Sequence, residues 1–129
     1  MSRPTRIALG AFLGDLVIVL AFATIGRASH SEGLLGDGGV GLLTTAWPFV
    51  AALGIAWLVA LAWRRPSAPL RTGVPVWIVT VAVTMLFRAL AGQGTALSFV
   101  IVTAVSLGAF LVGWRLVAYT VSRRRRVSA

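Results

Sequence analysis

The chain has 129 residues, of which 58% are hydrophobic and only 12% charged, with a mean hydropathy of +0.93. A soluble domain carries about a quarter charged residues, so this composition excludes an ordinary water-exposed fold and points to a membrane protein. The net charge of +9 comes from twelve arginines and no lysine, and with no cysteine the chain has no disulfide, thiol nucleophile or thiolate metal site.

Four apolar runs organise the chain, with helices expected at about 7–26, 42–63, 73–90 and 96–118, followed by a basic tail at 119–129. Each is close to the roughly 20 residues that carry a helix across about 30 Å of hydrocarbon. Membrane β-strands would be half as long and would alternate polar with apolar residues, which these runs do not. The expectation is therefore an all-α, four-transmembrane-helix bundle, formed as a single membrane domain over residues 1–129.

The first run follows Arg3 and Arg6 and contains Ala21-Phe22-Ala23, which also fits a cleaved signal peptide. Its length and its aspartate argue for a retained helix instead. Asp15 is the one acidic residue in any of the four runs. A carboxylate at such depth is costly in lipid and marks a pairing or functional site by default. Gly10 and Gly14 form a GxxxG pair beside it, which predicts close helix approach on that face.

Arg27 and His30 follow at the far end of the first run, in a Gly-Arg-x-x-His stretch that leads into a glycine-rich loop with Glu32 and Asp37. One histidine with two acids is too few ligands for an intrinsic metal site. A Ser-His-Asp arrangement fails on distance, because Asp15 and His30 would be roughly 22 Å apart along a continuous helix. No enzymatic activity and no cofactor is expected.

In the second run, Thr44 and Thr45 are candidate caps with Pro48 in the first turn, and Ala52, Ala56 and Ala60 form a small-residue stripe. Pro66 and Pro69 stiffen the connection to the third run, where Thr72 and Pro75 repeat the cap-and-proline arrangement. Arg88 closes that run, and Gly92-Gln93-Gly94 makes a tight turn. The fourth carries Ala104 and Gly108 as a second close-approach pair, and then Arg115.

A weak internal repeat connects the second and fourth runs. Thr45-Ala46-Trp47-Pro48-Phe49-Val50 matches Thr95-Ala96-Leu97-Ser98-Phe99-Val100, and the two runs end in Trp63-Arg64 and Trp114-Arg115. Two parallel helical hairpins would produce this pattern. Chance sharing of letters among apolar helices would produce it too.

Arginine placement sets the orientation. Arg3, Arg6, Arg64, Arg65, Arg71 and Arg123 to Arg126 lie at one end of the runs, and only Arg27 and Arg88 at the other. By the positive-inside rule both termini are cytoplasmic. The run Arg123, Arg124, Arg125 and Arg126 abuts a helix end without stacking aromatics, so nucleic acid is not expected and anionic lipid headgroups at the cytoplasmic face are.

Depth limits which group can neutralise Asp15. It lies roughly 12 Å from the inner end of its helix, with Arg88 near the outer surface and Arg115 near the inner one. Either could pair with it, or the acid could stay protonated.

At this point the chain resembles the bacterial and archaeal family called domain of unknown function 3054. The resemblance rests on an aspartate in the first helix, Gly26-Arg27-x-x-His30, Thr45-Ala46-Trp47-Pro48-Phe49, an arginine ending the third helix and Trp114-Arg115. It covers residues 14–115 and implies a four-helix membrane protein without assigned activity.

Two leading functional readings follow, with a membrane enzyme or cofactor carrier that uses His30 as a ligand or base a distant third. One is a small binding or structural module of the bacterial inner membrane, with a polar site drawn from Asp15, Arg27, His30, Arg88 and Arg115, an unknown ligand and room for a homo-oligomer. The other is a proton-coupled carrier using Asp15, superficially similar to small multidrug-resistance exporters. Reporter fusions after Ala129 and within residues 36–41 are expected to report opposite sides of the membrane. Both on one side would overturn the orientation.

Overall fold

The computed structural model describes residues 2–29, 40–92 and 95–128, without the side chains of 27–29, 40–42 and 125–128. Four helices account for most of it: α1 (Arg3–Ser29), α2 (Val40–Ala60), α3 (Val74–Leu90) and α4 (Leu97–Ser128). All four are long and apolar enough to cross a membrane. Helix is the physical outcome for such runs, since backbone amides and carbonyls inside hydrocarbon must find their partners within the segment. There is no strand among the described residues.

The helices form a ring in chain order. α1 packs on α2, α2 on α3 and α3 on α4, while α4 closes the ring against α1 through the thinnest of the four seams. The core holds small residues where backbones approach and larger ones between them. Ala52 and Ala56 are buried with Leu53 and Phe49 on α2, facing Val19 and Ala23 of α1. Leu107 and Leu111 fill the α4 side. Large apolar residues such as Val17, Leu58, Ile78 and Val105 point outward, as a protein dissolved in lipid requires.

Several boundaries differ from the sequence expectation. α2 begins at Val40, so Thr44 and Thr45 lie inside the helix and Pro48 is an interior proline rather than a first-turn one. Its missing N–H removes one bond of the ladder at that point. α2 also stops at Ala60, short of Trp63, where Leu61 turns left-handed at φ 51° and a 3₁₀ turn (Ala62–Arg64) follows. Thr72 does not cap α3. Its hydroxyl donates to the Arg65 carbonyl at 2.6 Å, and a π-helical turn (Pro69–Gly73) leads into the helix, with Pro75 in its first turn as expected. α4 runs on to Ser128, so the basic segment after 118 continues the helix.

The two close-approach pairs also part company. On α4, the indole of Trp77 lies against Gly108, where an added Cβ would meet Trp77 Cε2 at 2.7 Å, and its N–H donates to the Ala104 carbonyl at 2.7 Å. That close approach is the one the Ala104–Gly108 spacing predicts. Gly10 and Gly14 on α1 do not pack against another helix: both are exposed, and an added Cβ would meet nothing within 4 Å. The reason is that α4 meets α1 through the thinnest seam of the ring, which leaves this flank of α1 open.

The contrast gives a direct check. Gly108→Ala is expected to cost about 1–3 kcal/mol through overpacking against a rigid indole. Gly10→Ala should be neutral or slightly stabilising in the same unfolding assay in detergent micelles. Equal effects would contradict the packing described.

Candidate functional site

Asp15 points inward from α1, one face shared with Phe12 three residues before it. The carboxylate and the guanidinium of Arg115 on α4 are both fully buried. They meet as a bidentate pair, Nη1 to Oδ1 at 2.9 Å and Nη2 to Oδ2 at 2.6 Å. This planar fork-to-fork geometry is the one a guanidinium is built to make and an ammonium is not.

Two indoles complete the coordination. Trp57 Nε1 of α2 donates to Oδ2 at 2.9 Å, and Trp114 Nε1 of α4 donates to Oδ1 at 2.8 Å. Each carboxylate oxygen therefore accepts two donors. Four N–H donors and no acceptor surround the group, which is an environment for the ionised carboxylate. Trp57 is held in place by Phe12, edge-on at 5.1 Å, and the Trp114 ring lies beneath the Arg115 guanidinium at 4.6 Å.

Arg115 has further partners that fix its direction. Nε donates to the Pro66 carbonyl at 2.8 Å, and Nη1 also donates to the Leu111 carbonyl one turn back at 2.9 Å. The Pro66 carbonyl is available because the loop folds on itself. The Ala68 amide and the Thr72 hydroxyl both donate to the Arg65 carbonyl, and the Gly73 amide donates to the Ala68 carbonyl at 2.9 Å. Gly73 leaves space for the arginine stem, since a Cβ there would sit 3.0 Å from Arg115 Cδ. One ion pair thus gathers α1, α2, α4 and the 61–73 connection.

The structure chooses Arg115 over Arg88 as the partner of Asp15. Arg88 lies at the opposite end of α3, its guanidinium 4.4 Å from the Phe99 ring centre. The side chain of Arg27 and all of His30 lie outside the described residues, as do the side chains of Arg125 and Arg126. Arg123 and Arg124 are exposed on the last turns of α4. Sequence reasoning missed Trp57, and it noted Trp114 only as part of a repeat and of a family pattern, not as a partner of Asp15. The signal was there in chemical form: a buried indole N–H needs an acceptor, and Asp15 is the single acid within the runs. The repeat itself stops short of the site, because Trp63 and Arg64 are exposed where Trp114 and Arg115 are internal.

Farther along the bundle, the hydroxyls of Thr80, Thr84 and Thr103 are buried without a partner. No group of three or more His, Cys, Asp or Glu side chains gathers among the described residues.

An all-α chain with four membrane-length helices, fastened internally by a buried arginine–aspartate pair, defines a small polytopic membrane protein. The chain belongs to the family described as Protein of unknown function (DUF3054), whose pattern matches residues 12–118. No curated protein and no solved structure matches it.

Removing either charge leaves the other buried and alone, which costs about 3–5 kcal/mol. Asp15→Asn and Arg115→Gln are each expected to destabilise by that amount, with the double variant far less destabilised than the two singles added together. Equilibrium unfolding in mixed micelles measures the cycle. The parallel cycle of Asp15 with Arg88 should be additive, and coupling there would refute the assignment.

Proposed function

We propose that this protein is a structural or binding module of the bacterial inner membrane, in which the Asp15–Arg115 pair is a permanent clasp rather than a working proton site. The observation that carries the reading is saturation of the carboxylate. Both oxygens are occupied by four donors, and neither charged group touches solvent.

A proton-coupled carrier needs an acid that water and substrate can reach and that changes its protonation during each cycle. To serve that role Asp15 would have to give up two indole bonds and a bidentate arginine at every turnover. A clasp makes the opposite demand. It gains from a shielded, low-dielectric setting in which the pair has no competition from water. The Arg115 bond to the Pro66 carbonyl supports the same role, since it ties the loop at the arginine-rich end to the bundle.

The orientation that fits this reading places both termini and the 61–73 connection in the cytoplasm, in agreement with the arginine bias. The helical extension of α4 then projects Arg123 and Arg124 along the cytoplasmic face, where anionic headgroups are the natural partners of basic side chains.

Proteoliposomes loaded with a pH-sensitive dye separate the two readings. With hydrophobic cations added outside, the clasp predicts no proton flux above that of Asp15→Asn. It also predicts that Asp15 resists a carboxyl-modifying reagent from mildly acidic to mildly alkaline pH in the folded protein and reacts only after unfolding. Substrate-driven flux that Asp15→Asn abolishes would replace the clasp with the carrier.

A further inference from the structure

The α1/α4 seam that the clasp fastens is open on its outer side. A groove of about 270 Å³ runs there between α1 and the edge of α4, with Gly10 and Gly14 as floor, Trp114 as one wall, and Ile7, Arg6 and Ser67 toward the arginine-rich end. We infer that this groove is a binding site for one anionic phospholipid, its acyl chain laid along Gly10 and Gly14 against Trp114 and its headgroup held at Arg6 and Ser67.

Three observations favour that occupant. The first is the distribution of polarity. The deep part of the groove offers only apolar surface, and its charged and hydroxyl groups lie together at one end, the division found in a lipid itself. The second is dimension. From Arg6 to Gly14 the groove descends roughly 12 Å along α1. One leaflet is about half of the 30 Å hydrocarbon layer, so a headgroup at Arg6 places its chain beside both glycines. The volume is below the range of about 300–1,000 Å³ that encloses a drug-sized ligand, and the groove is open along its side, which suits part of a chain rather than a soluble molecule.

The third is charge. Arg6 is exposed, and no hydrogen bond or ion pair engages its guanidinium among the described residues. Arg3, Arg64, Arg65 and Arg71 are exposed on the same end, and the nearest acid, Asp15, is already neutralised by Arg115. An anion is the complement of such a rim. A second copy of the chain docking through Gly10 and Gly14 would instead bring Arg6 against Arg6. A bound chain would also cover the outer edge of Trp114, whose indole donates to Asp15, and so screen the clasp from the bilayer.

The experiment uses the full chain reconstituted in phosphatidylcholine vesicles that contain phosphatidylglycerol brominated on its acyl chain, with brominated phosphatidylcholine as the matched control. Bromine quenching of Trp114 is obtained as the difference between the wild type and Trp114→Phe, and lipid retained by the detergent-extracted protein is weighed by native mass spectrometry. Phosphatidylglycerol is expected to quench Trp114 at several-fold lower mole fraction than phosphatidylcholine, and one such lipid should remain bound on extraction. Arg6→Gln, a surface change that cannot disturb the core, should weaken the preference about fivefold, the factor carried by a single basic side chain at an anionic surface. Gly14→Leu places a side chain in the groove, with open space around its Cβ, and should abolish both the quenching and the retained lipid.

Equal quenching by the two lipids, unchanged in Gly14→Leu, would mean ordinary surrounding lipid and overturn the site. Conversion of a dimer to a monomer by Gly14→Leu, with no change in bound lipid, would assign the groove to a second copy instead. Unfolding stability of Gly14→Leu and Trp114→Phe, measured beside the wild type, separates these results from the clasp, since Gly14 adjoins Asp15 in the chain and Trp114 donates to it, whereas Arg6 makes no bond to the pair.

Discussion

The fold turns on a single constraint, that a carboxylate placed in a membrane-spanning helix must be matched entirely by protein. Asp15 is matched by four N–H donors from three side chains on two other helices. Its main partner, Arg115, is in turn anchored by two backbone carbonyls, one from its own helix and one from the loop. An ion pair of this kind adds little net stability against an apolar replacement of equal volume, because two charges had to be desolvated to make it. What it adds is direction. Once made, it admits one rotation of α1 against α4 and one position of the loop, since any other arrangement leaves a charge alone in hydrocarbon.

The location of the pair follows from the weakness around it. α1 and α4 share the thinnest seam of the ring, whereas the α2/α3 contact is the broadest. Between lipid-dissolved helices there is no hydrophobic drive to association, so a thin seam needs polar bonds or close backbone approach. α3 and α4 use close approach, through Gly108 under Trp77. α1 and α4 use the ion pair, and Gly10 and Gly14 of α1 are left open to the outside.

The loop is part of the same device. A π-helical turn is an uncommon way to begin a helix and is frequent at functional sites. Here it brings Gly73 under the arginine stem while the preceding residues fold around the Arg65 carbonyl and present that of Pro66. The internal hydrogen bonds of the loop and its bond to Arg115 therefore reinforce each other, and the clasp extends from the interior of the bundle to the 61–73 connection.

The sequence by itself determined the class of protein and the depth of its polar site. Length, apolarity and spacing of the four runs required helices, because nothing else satisfies a backbone in lipid. The solitary Asp15 announced a buried acid in need of partners, and the family pattern was readable from the Gly26–His30 and Thr45–Phe49 stretches. Helix ends were less legible, since the uncharged residues around Thr44 and those leading up to Trp63 carry no signal for where a helix bends or stops. The partner was not legible at all. Arg88 and Arg115 were equal candidates along the chain, and Trp57, 42 residues from Asp15, looked like any other membrane tryptophan. Only the tertiary structure decided among them, because the choice rests on how each helix is rotated about its axis, and in helices apolar on every side no stripe of residues records that rotation.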